Sequence, residues 1–273
     1  MTLVRKLLDF YVNSSVHVSL AVVALSLVTA LHFEAKVQIS LLFFTFFGTA
    51  TGYNFVKYAG VAKLHHRSLA SGLKMIQVFS FFCFLGLLAT AFLVSEEVLC
   101  WTLGLGLLTL LYALPVFSNR RNLRSFSGLK IFIIALVWTG VTVILPLLPL
   151  KNVIFEDLFF ECFQRFLLVL VLILPFEIRD LKYDLEQLGT IPQRVGITAT
   201  KVLGLGLLLV IIGLEFFKTT ATIESEFAIG CMAVITAVFV WRSKENQSQY
   251  FAALWVEAIP ILWLAMLWVL LSA

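Results

Sequence analysis

The chain has 273 residues, of which 61% are hydrophobic and only 13% charged, about half the charged share of a soluble domain. A water-soluble fold of this length has no interior large enough for so much Leu, Phe and Val, so lipid must solvate most of the surface. The net charge of +4 is carried between apolar runs, which suits membrane orientation and argues against nucleic-acid binding.

Nine apolar runs of membrane-spanning length follow in chain order: Val16–Phe33, Ile39–Tyr58, Leu73–Val94, Val98–Phe117, Leu129–Leu150, Leu158–Phe176, Ile197–Phe217, Phe227–Trp241 and Phe251–Leu271. The eighth is short and is expected to begin nearer Thr222. The runs lack the alternation of a membrane β-barrel, so the expected fold class is all-α, a polytopic bundle of about nine transmembrane helices forming one domain over residues 1–273. Arg5 and Lys6 precede the first run, which reads as an uncleaved helix because no small-x-small cleavage site follows it. Cys83, Cys100, Cys162 and Cys231 lie in or beside apolar runs with no CxxC spacing, so no disulfide framework or zinc site is indicated.

The loops alternate in charge. Sixteen of the twenty basic residues fall at the N-terminus or in the even loops, among them Lys57, Lys63, Arg120, Arg121, Arg179, Lys182 and Arg242; the odd loops hold Lys36, Lys151 and Lys218 beside many acids. The positive-inside rule then puts the N-terminus and even loops in the cytoplasm and the C-terminus outside.

The sixth run closes with Pro175-Phe-Glu-Ile-Arg-Asp-Leu-Lys-Tyr-Asp184. Glu177, Asp180 and Asp184 would share one face of a continuing helix, near a carbonyl end that disfavours anions. A cation that offsets this repulsion, Mg²⁺ by its preference for oxygen ligands, is one reading; a solvated loop helix balanced by Arg179 and Lys182 is the other. Gly189-Thr-Ile-Pro192 and Gly196 then turn the chain back into the membrane.

These residues resemble the UbiA family of intramembrane prenyltransferases. Asp180 and Asp184 match the family's aspartates after the sixth helix, Gly189 to Pro192 and Gly196 match the stretch that follows, and Tyr112, Pro115, Arg120 and Arg121 resemble its segment after the fourth helix. The resemblance implies a polyprenyl diphosphate taken from the lipid bilayer, a prenyl chain passed to a small, possibly aromatic acceptor, and Mg²⁺ as cofactor. It implies Asp180 and Asp184 as catalytic metal ligands with Glu177 as a third, and Asn54, Lys57, Lys63, Arg120 and Arg121 as diphosphate-binding residues. The family's first motif, Asn-x-x-x-Asp-x-x-x-Asp, is incomplete: Asn54 is kept, but Tyr58 and Ala62 stand where the aspartates belong. Two accounts are open. Lys57 and Lys63 supply charge to the diphosphate directly, with Mg²⁺ kept at Asp180 and Asp184; or catalysis is lost and the cavity binds an isoprenoid lipid.

Glu161 and Arg165 are read as an i, i+4 pair inside the sixth helix, and Glu257 as a group that pairs across helices or lines the acceptor end of the cavity. His65-His66 would diverge on one helix and are not expected to share a metal. The Phe-rich second and third helices are expected to face lipid, the alternative being that they line an isoprenoid tunnel.

Overall fold

A computed structural model describes residues 3–58, 70–116, 122–126, 128–150, 152–182 and 188–272, the side chains of 70–72 apart. Among them every regular element is helical: α1 (Leu3–Asn13), α2 (Val16–His32), α3 (Ile39–Tyr58), α4 (Ala70–Ala91), α5 (Glu96–Ala113), α6 (Lys130–Thr139), α7 (Leu145–Leu147), α8 (Phe155–Asp180), α9 (Ile191–Glu215), α10 (Ile223–Arg242) and α11 (Ile259–Ser272). A π-helical turn, Gly140–Ile144, joins α6 to α7 into one span, and another, Phe251–Val256, leads into α11. Among the described residues eight spans are long and apolar enough to cross a membrane, and nine if the bent pair α1–α2 counts as one. This is a multi-pass integral membrane protein.

The spans follow the expected runs closely, and the eighth, α10, does begin at the Thr222 cap. The unforeseen element is α1. It meets α2 at 54°, with Ser15 at the corner in a left-handed conformation, φ 65°. Its sequence, LVRKLLDFYVN, is amphipathic and too short to span, which is why no apolar run marked it.

α8 is the axis of the bundle. Of its apolar window 61% is buried, against 11% for α4 and α5, so α8 is walled by protein and α4 and α5 by lipid. Its Leu168, Val169 and Val171 pack with Val22 and Leu25 of α2, Ile229 and Met232 of α10, and Trp263 and Leu267 of α11. Phe43, Phe81, Phe82 and Phe84 are outward and exposed, in keeping with lipid-facing packing of the Phe-rich spans. Because successive spans alternate in direction, the bundle has two ends. One carries Lys57 and Asp180, and is called here the motif end; the other carries His32, Glu161 and Lys218.

α9 starts with two devices. The Thr190 N–H donates to Gln193 Oε1, and Pro192 occupies the first turn, where its missing N–H leaves no helical bond unmade. Gly196 then breaks the helix with φ 80° and ψ 166°, a conformation reached almost only by glycine. The Gly…Pro…Gly spacing thus sets the angle at which the chain re-enters the bundle.

Candidate functional site

The motif end is built from α2, α3, α6, α8 and the break before α11. Asn54 is buried in α3 and all three of its side-chain bonds go inward: Nδ2 donates to the Ser14 carbonyl and to Ser80 Oγ, both at 2.8 Å, and Oδ1 accepts from Ser15 Oγ at 2.8 Å. It ties the α1–α2 corner to α3 and α4. Both amide protons are used, so Asn54 as placed offers no donor to a diphosphate. Burial without these partners would strand polar atoms at about 1–3 kcal/mol each, which is reason enough for asparagine here.

One turn on, Lys57 Nζ donates to Ser15 Oγ at 3.1 Å and stands 6.0 Å from the centre of the Tyr53 ring. It interacts electrostatically with Glu257, at the break before α11, and with Arg179 of α8. Lys57 is exposed, and Glu257 and Arg179 are half-buried. Three charged side chains from three spans, none sealed off, thus lie within electrostatic range of one another at this end, beside Tyr53, whose phenol oxygen accepts from the Trp138 indole N–H at 2.7 Å. Tyr58, in the position of the family's first aspartate, donates its hydroxyl to the Asn13 carbonyl at 2.9 Å and so closes the α1 corner.

α8 ends at Asp180, and of the three acids after the sixth span Glu177 and Asp180 are described; Asp184 lies outside the described residues, as do Lys63, Arg120, Arg121, His65 and His66. Glu177 is 1% exposed and its Oε1 is 2.8 Å from Lys130 Nζ of α6. Asp180 takes Arg179 by both oxygens, at 2.7 and 3.1 Å, while the guanidinium sits 5.2 Å over Phe176. The repulsion that suggested a bound metal is met by side-chain cations at the two acids in view. Among the described residues no three His, Cys, Asp or Glu side chains are placed to hold a metal ion. Taken by themselves these residues do not fit the magnesium centre that the resemblance implies.

The other end holds what sequence reasoning saw only in part. Glu161 and Arg165 are paired at 2.8 Å as expected, but the pair belongs to a larger buried cluster. Lys218 Nζ reaches Glu161 Oε2 and Gln164 Oε1 at 2.6 Å and Glu215 Oε2 at 2.9 Å. Arg165 also donates to the Leu25 carbonyl and Thr29 Oγ1, Gln164 to Glu215 and the Ile211 carbonyl, and His32 Nδ1 lies 3.3 Å from Glu161 Oε2. Lys218 reads in the sequence as a loop charge. The signal that could have moved it inward is Glu215 three residues earlier, which puts both on one helical face.

No family model matches the chain, and no curated protein is similar enough in sequence to register. Solved structures do match in shape. A UbiA homolog from Archaeoglobus fulgidus bound to GPP and Mg²⁺ superposes with a TM-score of 0.64 at 15% identity, over 97% of this chain and 100% of that one. The fold is the UbiA fold. The same homolog bound to DMAPP and Mg²⁺ gives 0.63 at 16%, over 97% and 99%, and a digeranylgeranylglyceryl phosphate synthase gives 0.56 at 16%, over 97% of each chain. On the UbiA fold, the likeness at these identities is one of architecture; the chemistry has to come from this chain's own side chains.

Proposed function

We propose that this protein takes a polyprenyl diphosphate from the bilayer into the motif-end cleft and passes the prenyl chain to a small, possibly aromatic acceptor. The observation that carries the proposal is that Lys57, Arg179 and Glu257, from three different spans and none of them sealed off, lie within electrostatic range of one another on the UbiA fold. Structural neighbours with that fold were solved with GPP or DMAPP, which supports a prenyl diphosphate as the class of substrate.

In this reading Lys57 and Arg179 face the diphosphate, joined by Lys63, Arg120 and Arg121 from the adjoining loops. As the allylic C–O bond breaks, its electron pair leaves with the diphosphate, and fixed cations in a water-poor cleft stabilise the charge that develops. Apolar walls keep water from the allylic cation. The acceptor's nucleophilic atom bonds to that carbon, and its proton passes to Glu257. Asp180 orients Arg179, and Glu177 holds Lys130. Should Asp184 join Asp180 around Mg²⁺, the ion would neutralise further diphosphate charge; no step above depends on it. The distribution of basic loops supports a cytoplasmic motif end, so the released diphosphate leaves into the cytoplasm.

A second reading is favoured by one observation. Tyr58 is used at the α1 corner, and no acid stands at position 62, so a protein that binds the isoprenoid without transferring it fits the same cleft. Purified protein incubated with radiolabelled geranylgeranyl diphosphate and a membrane lipid extract separates the two. Release of diphosphate with a labelled adduct is expected for transfer, and stoichiometric binding without release would leave only the binder. No binding at all, with and without EDTA, would overturn both.

A further inference from the structure

Lys57 is held from behind by a chain of hydrogen bonds that all run in one direction. Its ammonium donates to Ser15 Oγ at 3.1 Å, and the Ser15 hydroxyl donates to Asn54 Oδ1 at 2.8 Å. The Asn54 amide donates to Ser80 Oγ at 2.8 Å, and the Ser80 hydroxyl to the Ile76 carbonyl at 2.7 Å. Chemistry fixes that direction at both ends, because an ammonium can only donate and a carbonyl can only accept. Asn54 also donates to the Ser14 carbonyl, so its amide cannot be turned over. The Ser15 hydroxyl proton is therefore committed to Asn54, and Lys57 meets the lone pairs of Ser15. Bonds in such a series polarise one another, which makes Ser15 Oγ a better acceptor for a cation than an isolated hydroxyl.

The backbone explains how Ser15 comes to reach Lys57. Ser15 is buried at the α1–α2 corner with φ 65° and ψ 16°, a left-handed conformation that glycine adopts freely and serine at a cost. The corner is braced on both sides. The Tyr58 hydroxyl donates to the Asn13 carbonyl at 2.9 Å, and Asp9 accepts from Gln249 Nε2 at 3.2 Å and from the Tyr250 hydroxyl. Glycine would close this turn with less strain, so turn formation alone does not account for the hydroxyl. We propose that Ser15 is a positioning residue for Lys57: it takes one ammonium proton and aims the others at the diphosphate. A lysine already aimed in the free protein loses less side-chain freedom on binding, and that saving appears as affinity. Asn54 and Ser80 act behind Ser15 by fixing the direction of the chain. The role rests on the diphosphate reading given above, and Ser15 itself touches no substrate.

The test is equilibrium titration of geranylgeranyl diphosphate onto the full-length detergent-solubilised protein, as a cycle of Ser15→Gly, Lys57→Met and the double variant. Ser15→Gly removes the hydroxyl and is expected to stay folded, because glycine takes the corner conformation without strain. It should bind about three- to tenfold more weakly, the net worth of one hydrogen bond. In the Lys57→Met background the same change should cost nothing further, whereas damage to the fold would weaken binding with or without Lys57. Ser15→Thr, which keeps the hydroxyl, should bind like the parent. Ser80→Ala breaks the chain from α4 and leaves the corner untouched; it should give a smaller loss that also vanishes in the Lys57→Met background. A Ser15→Gly protein that binds like the parent, or a Ser15→Gly or Ser80→Ala loss that persists undiminished without Lys57, would overturn the positioning role and leave the diphosphate reading intact. Lys57→Met without effect would overturn that reading, and the role of Ser15 with it.

Discussion

Lys218 is the residue whose removal should hurt this fold most for its size. Its ammonium is bonded to Glu161, Gln164 and Glu215, and the side chains of Lys218, Glu161 and Glu215 are 2% exposed or less. Two cations, Arg165 and Lys218, balance two carboxylates, so Lys218→Met keeps roughly the volume but leaves a net negative charge with no water to solvate it. Breaking a buried pair by deleting one partner costs about 3–5 kcal/mol. The low end, about 3 kcal/mol, is expected here because a chain unfolded in lipid still finds some polar partners. The measurement is unfolding of the protein in mixed micelles by sodium dodecyl sulfate, with Glu215→Gln added to complete a double-mutant cycle. Neutralising Glu215 in the Lys218→Met background removes the stranded charge, so the double variant should be more stable than the sum of the singles by about 1 kcal/mol or more. A loss below about 1 kcal/mol for Lys218→Met, together with strict additivity, would refute the claim that the network is a closed, charge-balanced unit.

Lys57→Met and Arg179→Met should each weaken binding of geranylgeranyl diphosphate about tenfold or more in equilibrium titration, since a charged hydrogen bond is worth about 1.5–3 kcal/mol; unchanged affinity in both would take these cations out of the site. Gly196→Ala should destabilise by about 1–3 kcal/mol from backbone strain alone, because an added Cβ meets nothing within 4 Å at φ 80°; a neutral effect in the same unfolding assay would contradict the kink. In a cysteine-free background, a membrane-impermeant maleimide should label Lys36→Cys on intact cells and reach Lys244→Cys only after permeabilisation. The reverse pattern would invert the orientation drawn from the loop charges.

Span positions were legible because lipid imposes a simple rule: about twenty apolar residues, uninterrupted. Ile39–Tyr58 is read identically from sequence and structure. α1 was not legible, since an eleven-residue amphipathic helix satisfies no such length rule and gains its meaning from the Ser14–Ser15 corner that Asn54 ties down. At the motif end the residue types were legible and their pairings were not. Sequence spacing placed Glu177, Asp180 and Asp184 on one face, but it could not say that α6 would bring Lys130 onto Glu177, a contact across 47 positions. Arg179 read as a counter-charge; only packing puts it within electrostatic reach of Lys57 and Glu257. The far-end cluster was half legible for the same reason: Glu161 and Arg165 are neighbours on one helix, whereas His32 and Lys218 arrive from α2 and from beyond α9.

The absence of acids at positions 58 and 62 and the pairing of Glu177 and Asp180 with cations fit one account of the site. Where a diphosphate is held through divalent metal, carboxylates are needed to hold the metal. Where fixed ammonium and guanidinium groups carry the positive charge, carboxylates left without a partner repel the substrate instead. Here position 58 is tyrosine, position 62 alanine, Glu177 is closed on Lys130 and Asp180 on Arg179, and Lys57 stands one residue before Tyr58. This predicts that putting the acids back should convert the mode of binding. The variant Tyr58→Asp with Ala62→Asp should bind geranylgeranyl diphosphate several-fold more weakly than the parent in EDTA and recover with millimolar Mg²⁺, whereas the parent should change little between the two conditions. Lys57→Met added to that variant should then matter less than it does in the parent, because metal has taken over its role. A parent protein whose binding collapses in EDTA, or a variant indifferent to Mg²⁺, would break the link between the lost acids and the fixed cations.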